Sequence, residues 1–257
     1  MKKIYFLLVL LVCPFSVFAL DLASNAKSAI IMEPTTGKVI FEKNSNERLE
    51  PASMTKIMTL LLTFEAIDNG KISLDDMVTI SKRAADMGGS QMFLEAGSNI
   101  RLEEIIKGVS IASANDGAIA LAEYIGGSVE NFVDMMNKKA EDLGLSNTHF
   151  INPHGLHADN HYSSAYDMAI MAANLINHEK ILNYTSIYED YFNKPDGSRT
   201  WLVNTNKLVR FFKGVDGLKT GYTKEAGYCL TATAKKNNVR YITVVMGEPS
   251  SDIRSSE

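Results

Sequence analysis

GYCLTATAKKNNVRYITVVM, residues 227–246, decides the fold. Its halves, Gly227–Ala234 and Arg240–Met246, are β-rich runs, and Lys235-Lys236-Asn237-Asn238 between them is a polar hairpin turn. The other end of the chain carries the same signature. Ser28–Met32 and Val39–Phe41 read as short strands around the turn Pro34-Thr35-Thr36-Gly37-Lys38. Between these outer segments the period is helical. Pro51-Ala52 leads into a helix from about Ser53 to Asp68, apolar at Ile57, Leu60, Leu61, Phe64 and Ile67, and Asn69-Gly70 ends it. Met77–Ile80 alternates weakly as a strand. Further helix starts fall near Leu102, Ala114, Val129 and Ser164, with Ser128 and Ser163 as N-caps. The fold class expected is α+β: an antiparallel sheet formed from both chain ends, flanked by helices, with an all-helical middle region.

The first nineteen residues have a different character. Lys2 and Lys3, the apolar run Ile4–Cys13 and Val17-Phe18-Ala19 make a secretory signal peptide, with cleavage expected after Ala19. A lipoprotein reading through Cys13 is weaker, because Val12 precedes that cysteine where a small residue is wanted. The run is too short to span a bilayer comfortably. Without the two leader lysines, 24 basic side chains face 30 acidic ones. Such a balance gives no general help in holding nucleic acid or anionic lipid, so an anionic ligand must meet a local cluster of cations. Cys229 is then the single cysteine, without an intramolecular partner, and reads as a small buried hydrophobe. Residues 20–257 suit one large domain.

Three short motifs carry chemistry. Ser53-Met54-Thr55-Lys56 places an amine just under one helical turn from a hydroxyl, on the same face. A serine hydroxyl becomes a good nucleophile only when a neighbouring base removes its proton. Alone the pattern also describes a helix cap followed by a solvated lysine, and Ser24-Asn25-Ala26-Lys27 repeats it in a segment expected to be a flexible N-terminus. Ser113-Ala114-Asn115 precedes the small-residue helix Gly117–Tyr124, and Lys219-Thr220-Gly221 stands beside the last strands. Singly, these are an N-cap and a turn.

Together and in this order, the three are the motif set of penicillin-binding proteins and class A β-lactamases. The resemblance extends over Ala29–Thr59, Gly88–Tyr124 and Asp216–Ala234, and over the stretches 160–165 and 201–206. The chain resembles the low-molecular-weight, penicillin-binding D-alanyl-D-alanine carboxypeptidases, especially the sporulation-associated branch in Gram-positive bacteria. That resemblance implies a peptidoglycan stem peptide ending in D-Ala-D-Ala as substrate, β-lactam antibiotics as inhibitors, and no cofactor. It implies Ser53 as nucleophile, Lys56 as base and Ser113 as a proton path to the leaving amine. Asn115 would hold the substrate amide and Lys56. Lys219 and Thr220, with Arg254, would bind the terminal carboxylate, and Gly221 would let substrate backbone approach the strand. The backbone N–H groups of Ser53 and Tyr222 would form the oxyanion hole. Neutralising a free lysine at pH 7 costs roughly 4–5 kcal/mol. The site must remove most of that by burial and by a second cation, Lys219.

Other readings fit less well. His154, His157 and His161 resemble metal ligands but fall in a loop rich in Gly and Pro with no helix to align them, and no metal is expected. A class A β-lactamase needs a carboxylate to activate the deacylating water, and Glu189 with Asn193 imitates that pattern only 76 residues beyond Ser113. A non-enzymatic β-lactam sensor usually adds a transmembrane helix and a signalling domain. After Met246 too little chain remains for a long helix over the outer sheet face, so a truncated catalytic domain is expected. Membrane association is expected only through a C-terminal anchor that this chain lacks. The expected location is the extracytoplasmic face of the membrane or the cell wall.

Overall fold

In the computed structural model, which describes residues 22–194 and 196–257, the 227–246 hairpin is the centre of a five-stranded antiparallel sheet. The expected signal peptide and its cleavage point lie outside the described residues. In chain order the elements begin with β1 (Ser28–Glu33), β2 (Lys38–Lys43), α1 (Lys56–Asp68), β3 (Met77–Thr79), α2 (Lys82–Ala85) and β4 (Asn99–Arg101). The helical middle follows, with α3 (Leu102–Ile111), α4 (Asn115–Gly126), α5 (Val129–Asp142), α6 (Ala165–Ile176) and α7 (Leu182–Thr185). The chain then runs through β5 (Glu189–Asn193), β6 (Arg199–Val203), α8 (Leu208–Phe211), β7 (Val215–Thr223), β8 (Gly227–Lys236), β9 (Val239–Glu248) and α9 (Ser251–Ser256).

The sheet order β2-β1-β9-β8-β7 joins the two chain ends through β1 and β9, with Ile30 opposite Val244. Asn237 and Asn238 both have positive φ, 52° and 63°, which is the backbone a two-residue hairpin turn demands and asparagine tolerates. Period-two alternation sorts the strands. Ile30, Met32, Leu218, Cys229, Ile242, Val244 and Met246 enter the main core beneath the helices. Ala29, Leu230, Ala232 and Val245 face the other side. Helix α1 is apolar nearly all round and lies buried, as such a helix must. Helix α6 packs on β1 and β9.

Several expectations are corrected. The middle region is not all-helical: β3–β4 and β5–β6 form two-stranded ribbons within it. The cap of α6 is Ser164, whose hydroxyl accepts from Asp167 N–H, while the expected cap Ser163 is buried and bonds Thr148. Ser24–Lys27 is docked: Lys27 N–H donates to the Met246 carbonyl at 2.9 Å, and the lysine stem packs on Gly247. That segment and the short α9 lie at the outer sheet face, where Asn25 bonds Glu257. Among the described residues no helix is long and apolar enough to cross a membrane.

Candidate active site

The lead-in to α1 is a 3₁₀ turn, Ala52–Thr55, and Ala52 enters it with a φ of 46°. A left-handed conformation at a non-glycine residue costs on the order of 1–3 kcal/mol and persists only where the surroundings impose it. Those surroundings are visible. Gly155 comes so close beneath the turn that a Cβ there would stand 1.8 Å from the Ala52 carbonyl oxygen. On the other side, a Cβ on Gly221 would stand 2.8 Å from Pro51 O and 3.2 Å from Ser53 N. Gly221, expected to make room for substrate, thus makes room for the nucleophile's own turn, and brings Ser53 N beside the Gly221–Tyr222 peptide.

The turn sets Ser53 Oγ 3.0 Å from Lys56 Nζ. Lys56 is fully buried and also donates to Asn115 Oδ1 and to the His154 carbonyl, both at 2.7 Å. Two of these three partners are carbonyl oxygens and can only accept. A neutral amine in this place, with only two N–H bonds, would spend both on Asn115 and His154 and turn its lone pair to the Ser53 hydroxyl. Burial, then the charge of Lys219, push the Lys56 ammonium well below its ordinary range, against an opposing pull from Asp116.

Lys219, Thr220 and Gly221 lie inside strand β7, not in a turn at its edge. Lys219 is 1% exposed, donates to its neighbour's carbonyl (Thr220 O) at 3.1 Å, and is lowered to about 7 by burial and by the Arg254 guanidinium. Arg254, on α9, is itself buried, and its Nε has no hydrogen-bond partner among the described residues. Lys219 and Arg254 are thus two buried cations near enough for the charge of one to lower the other. Tyr222 projects outward, its ring stacked 4.4 Å from that of Tyr228. Ser113, buried at the start of α4, is held at a φ of 63°.

Five residues have roles at the site that the sequence does not indicate, two of them histidines weighed above only as metal ligands. Thr205 Oγ1 accepts from Thr220 Oγ1 at 2.7 Å, and its N–H donates to Ile111 O, linking the third motif to the end of α3. His161 accepts the Ile151 N–H on Nδ1 and so donates from Nε2 to Thr55 Oγ1 at 2.8 Å. Burial drives His154 down to about 3 and His161 to about 4, so both rings are neutral. His154 Nδ1 accepts from Leu156 N–H and His157 pairs with Glu50, so the three loop histidines have separate partners. Glu50, His157 and Glu225 bring ligand atoms within 4.8 Å of one another on the surface. Gly155 and Asp116 complete the five. Gly155's glycine-only backbone was the one available signal. Glu189, the imitation of a deacylating carboxylate, lies on the exposed face of the β5–β6 ribbon and accepts from Trp201 Nε1.

A family model described as D-alanyl-D-alanine carboxypeptidase, peptidase S11, matches residues 16–250. The chain is 57% identical over 237 residues to D-alanyl-D-alanine carboxypeptidase DacF of Bacillus subtilis (strain 168), covering 92% of this chain and 61% of that protein. It therefore spans about three fifths of the length of the curated relatives matched first. Among solved structures, D-alanyl-D-alanine carboxypeptidase DacD from Francisella tularensis superposes with a TM-score of 0.87 at 34% identity, over 90% of this chain and 68% of that one. An S96A mutant of the Streptomyces K15 DD-transpeptidase gives a TM-score of 0.84 at 28% identity, over 90% and 94%. The chain belongs to the D-alanyl-D-alanine carboxypeptidase family, peptidase S11.

Proposed function

We propose that this chain is an exported serine carboxypeptidase that removes the terminal D-alanine from peptidoglycan stem peptides ending in D-Ala-D-Ala, and that β-lactams acylate it. Ser53 Oγ gives its proton to the Lys56 amine and attacks the penultimate carbonyl carbon. The N–H groups of Ser53 and Tyr222 receive the oxyanion. As the C–N bond breaks, the D-alanine nitrogen takes a proton, through Ser113 from Lys56. Water then hydrolyses the ester, with Lys56 again accepting a proton. Asn115 orients Lys56 and the acyl-donor amide, while Lys219, Thr220 and Arg254 hold the carboxylate of the departing residue. Gly221 contributes by letting β7 close on the nucleophile's turn.

The observation that carries this reading is the buried Lys56 amine, 3.0 Å from Ser53 Oγ and 2.7 Å from each of two carbonyl oxygens, Asn115 Oδ1 and His154 O. The enzyme works outside the cytoplasmic membrane, where its substrate is. The test is D-alanine release from an acyl-D-Ala-D-Ala peptide, with labelled penicillin as a second probe. Wild type is expected to release D-alanine and take the label on Ser53. An enzyme that releases none, while Ser53→Ala takes the label as well as wild type, contradicts the reading. Rapid turnover of the penicillin would instead indicate a β-lactamase.

A further inference from the structure

Three non-glycine residues with left-handed backbone stand on the segments that build the site: Ala52 at φ 46°, Ser113 at 63° and Phe93 at 62°. The first two introduce the nucleophile and the helix that carries Asn115. Phe93 has no part in the chemistry above. It is also the only aromatic residue in this conformation among the described residues, and for a bulky side chain a positive φ is a true outlier. Burial of the ring does not explain it, since Phe93 is 57% exposed.

What holds Phe93 is Asp116. Its carboxylate, 1% exposed and without a cation partner among the described residues, accepts from Met92 N–H at 3.1 Å and from Leu94 N–H at 3.0 Å. The two amides flanking Phe93 are thus gripped by one side chain. The neighbouring residue grips the same loop. Asn115 donates from Nδ2 to Gly88 O and from its backbone to Ser90 O, while its Oδ1 accepts from Lys56. One turn of helix therefore fixes both the base and the loop that displays the phenylalanine. An outlier backbone on a loop that is also bonded to Asn115, the partner of Lys56, points to function.

We propose that Phe93 contacts the acyl-donor peptide upstream of the scissile bond, offering its ring to an aliphatic side chain, and that Asp116 is the positioning residue that presents it. This rests on the carboxypeptidase reading above. The departing carboxylate belongs to Lys219 and Arg254 on β7 and α9, so the loop built on Asn115 borders the acyl-donor half of the substrate. The Lys194 ammonium lies 5.8 Å over the Phe93 ring, within cation–π range.

The experiment compares kcat/KM for two peptides, Nα,Nε-diacetyl-lysyl-D-Ala-D-Ala and acetyl-glycyl-D-Ala-D-Ala. Wild type is expected to prefer the first. Phe93→Gly suits the left-handed backbone, so it leaves the fold intact, and it is expected to lower the preference about 10-fold, the scale of lost apolar contact in a pocket. Phe93→Tyr is expected to retain it. Asp116→Asn is expected to lower the preference in the wild-type background and to change it no further in Phe93→Gly. A preference unchanged by Phe93→Gly overturns the proposal, as does an Asp116→Asn effect of equal size in both backgrounds. Release of D-alanine from neither peptide by wild type is a different result, which sinks the carboxypeptidase reading and the proposal with it.

Discussion

The charge of Lys219 opposes a charge on Lys56, and both side chains are buried. The two lysines, far apart in sequence, are thus coupled: a charge on Lys219 lowers the proton affinity of Lys56. Lys219→Gln removes this pressure, raises the Lys56 proton affinity and moves the rising limb of the acylation rate to higher pH. On the proposed role of Lys219 in holding the substrate carboxylate, kcat/KM is also expected to fall about 10–100-fold. Stopped-flow acylation across pH checks both effects, and an unmoved rising limb contradicts the coupling.

Arg254 has the same relation to Lys219 that Lys219 has to Lys56. Its guanidinium helps burial bring Lys219 down to about 7. With Arg254→Leu, Lys219 holds its proton to higher pH. The falling limb of kcat/KM, where the carboxylate grip is lost, is then expected to move upward in pH, while KM at neutral pH rises about 10-fold. A pH series of initial rates measures this; the two limbs belong to coupled groups and are read as macroscopic values.

Gly221→Ala puts a methyl against backbone, 2.8 Å from Pro51 O and 3.2 Å from Ser53 N, with no flexible side chain to yield. Forced overpacking of this kind costs typically 1–3 kcal/mol. The larger consequence falls on the nucleophile, because a displacement of about 1 Å can cost roughly 10²-fold in rate. Thermal unfolding and penicillin acylation rates separate the two, and acylation at the wild-type rate would show that the turn tolerates the methyl.

Acid should destabilise the fold through His154 and His161. Their folded values, about 3 and about 4, lie below the ordinary histidine value of 6.5. Between those limits the unfolded chain binds more protons than the folded one, so stability falls as pH falls below 6.5 and levels off near the folded values. For His161 the full effect is on the order of 3 kcal/mol. His161→Gln is expected to flatten part of the slope in a plot of Tm against pH from 7 to 4. A slope identical to wild type rules the histidine out as its source.

Local signals made much of this legible. The 227–246 hairpin is written in alternation and in two asparagines that accept positive φ, and Ser128 caps α5 through a bond to Asn131 N–H three residues on. The β5–β6 ribbon was not legible, because its inward residues, Phe192 and Leu202, find their core only through tertiary packing. Lys219-Thr220-Gly221 reads as a turn because lysine and glycine are poor strand formers; its strand is imposed by pairing with β8, Thr220 opposite Leu230. Motif order brought out Ser53, Lys56 and Asn115. Thr205, His161 and Asp116 act through contacts at long sequence separation or through backbone amides, which no motif records.

Heteronuclear NMR titration of the lysine side chains distinguishes a neutral base at Lys56, poised on Ser53, from an ordinary ammonium. Labelled at the carbon next to the amine, and assigned with Lys56→Arg, the Lys56 resonance is expected to show a neutral amine at pH values where the solvent-exposed lysines remain ammonium. Titration of Lys56 together with those surface lysines would contradict the account.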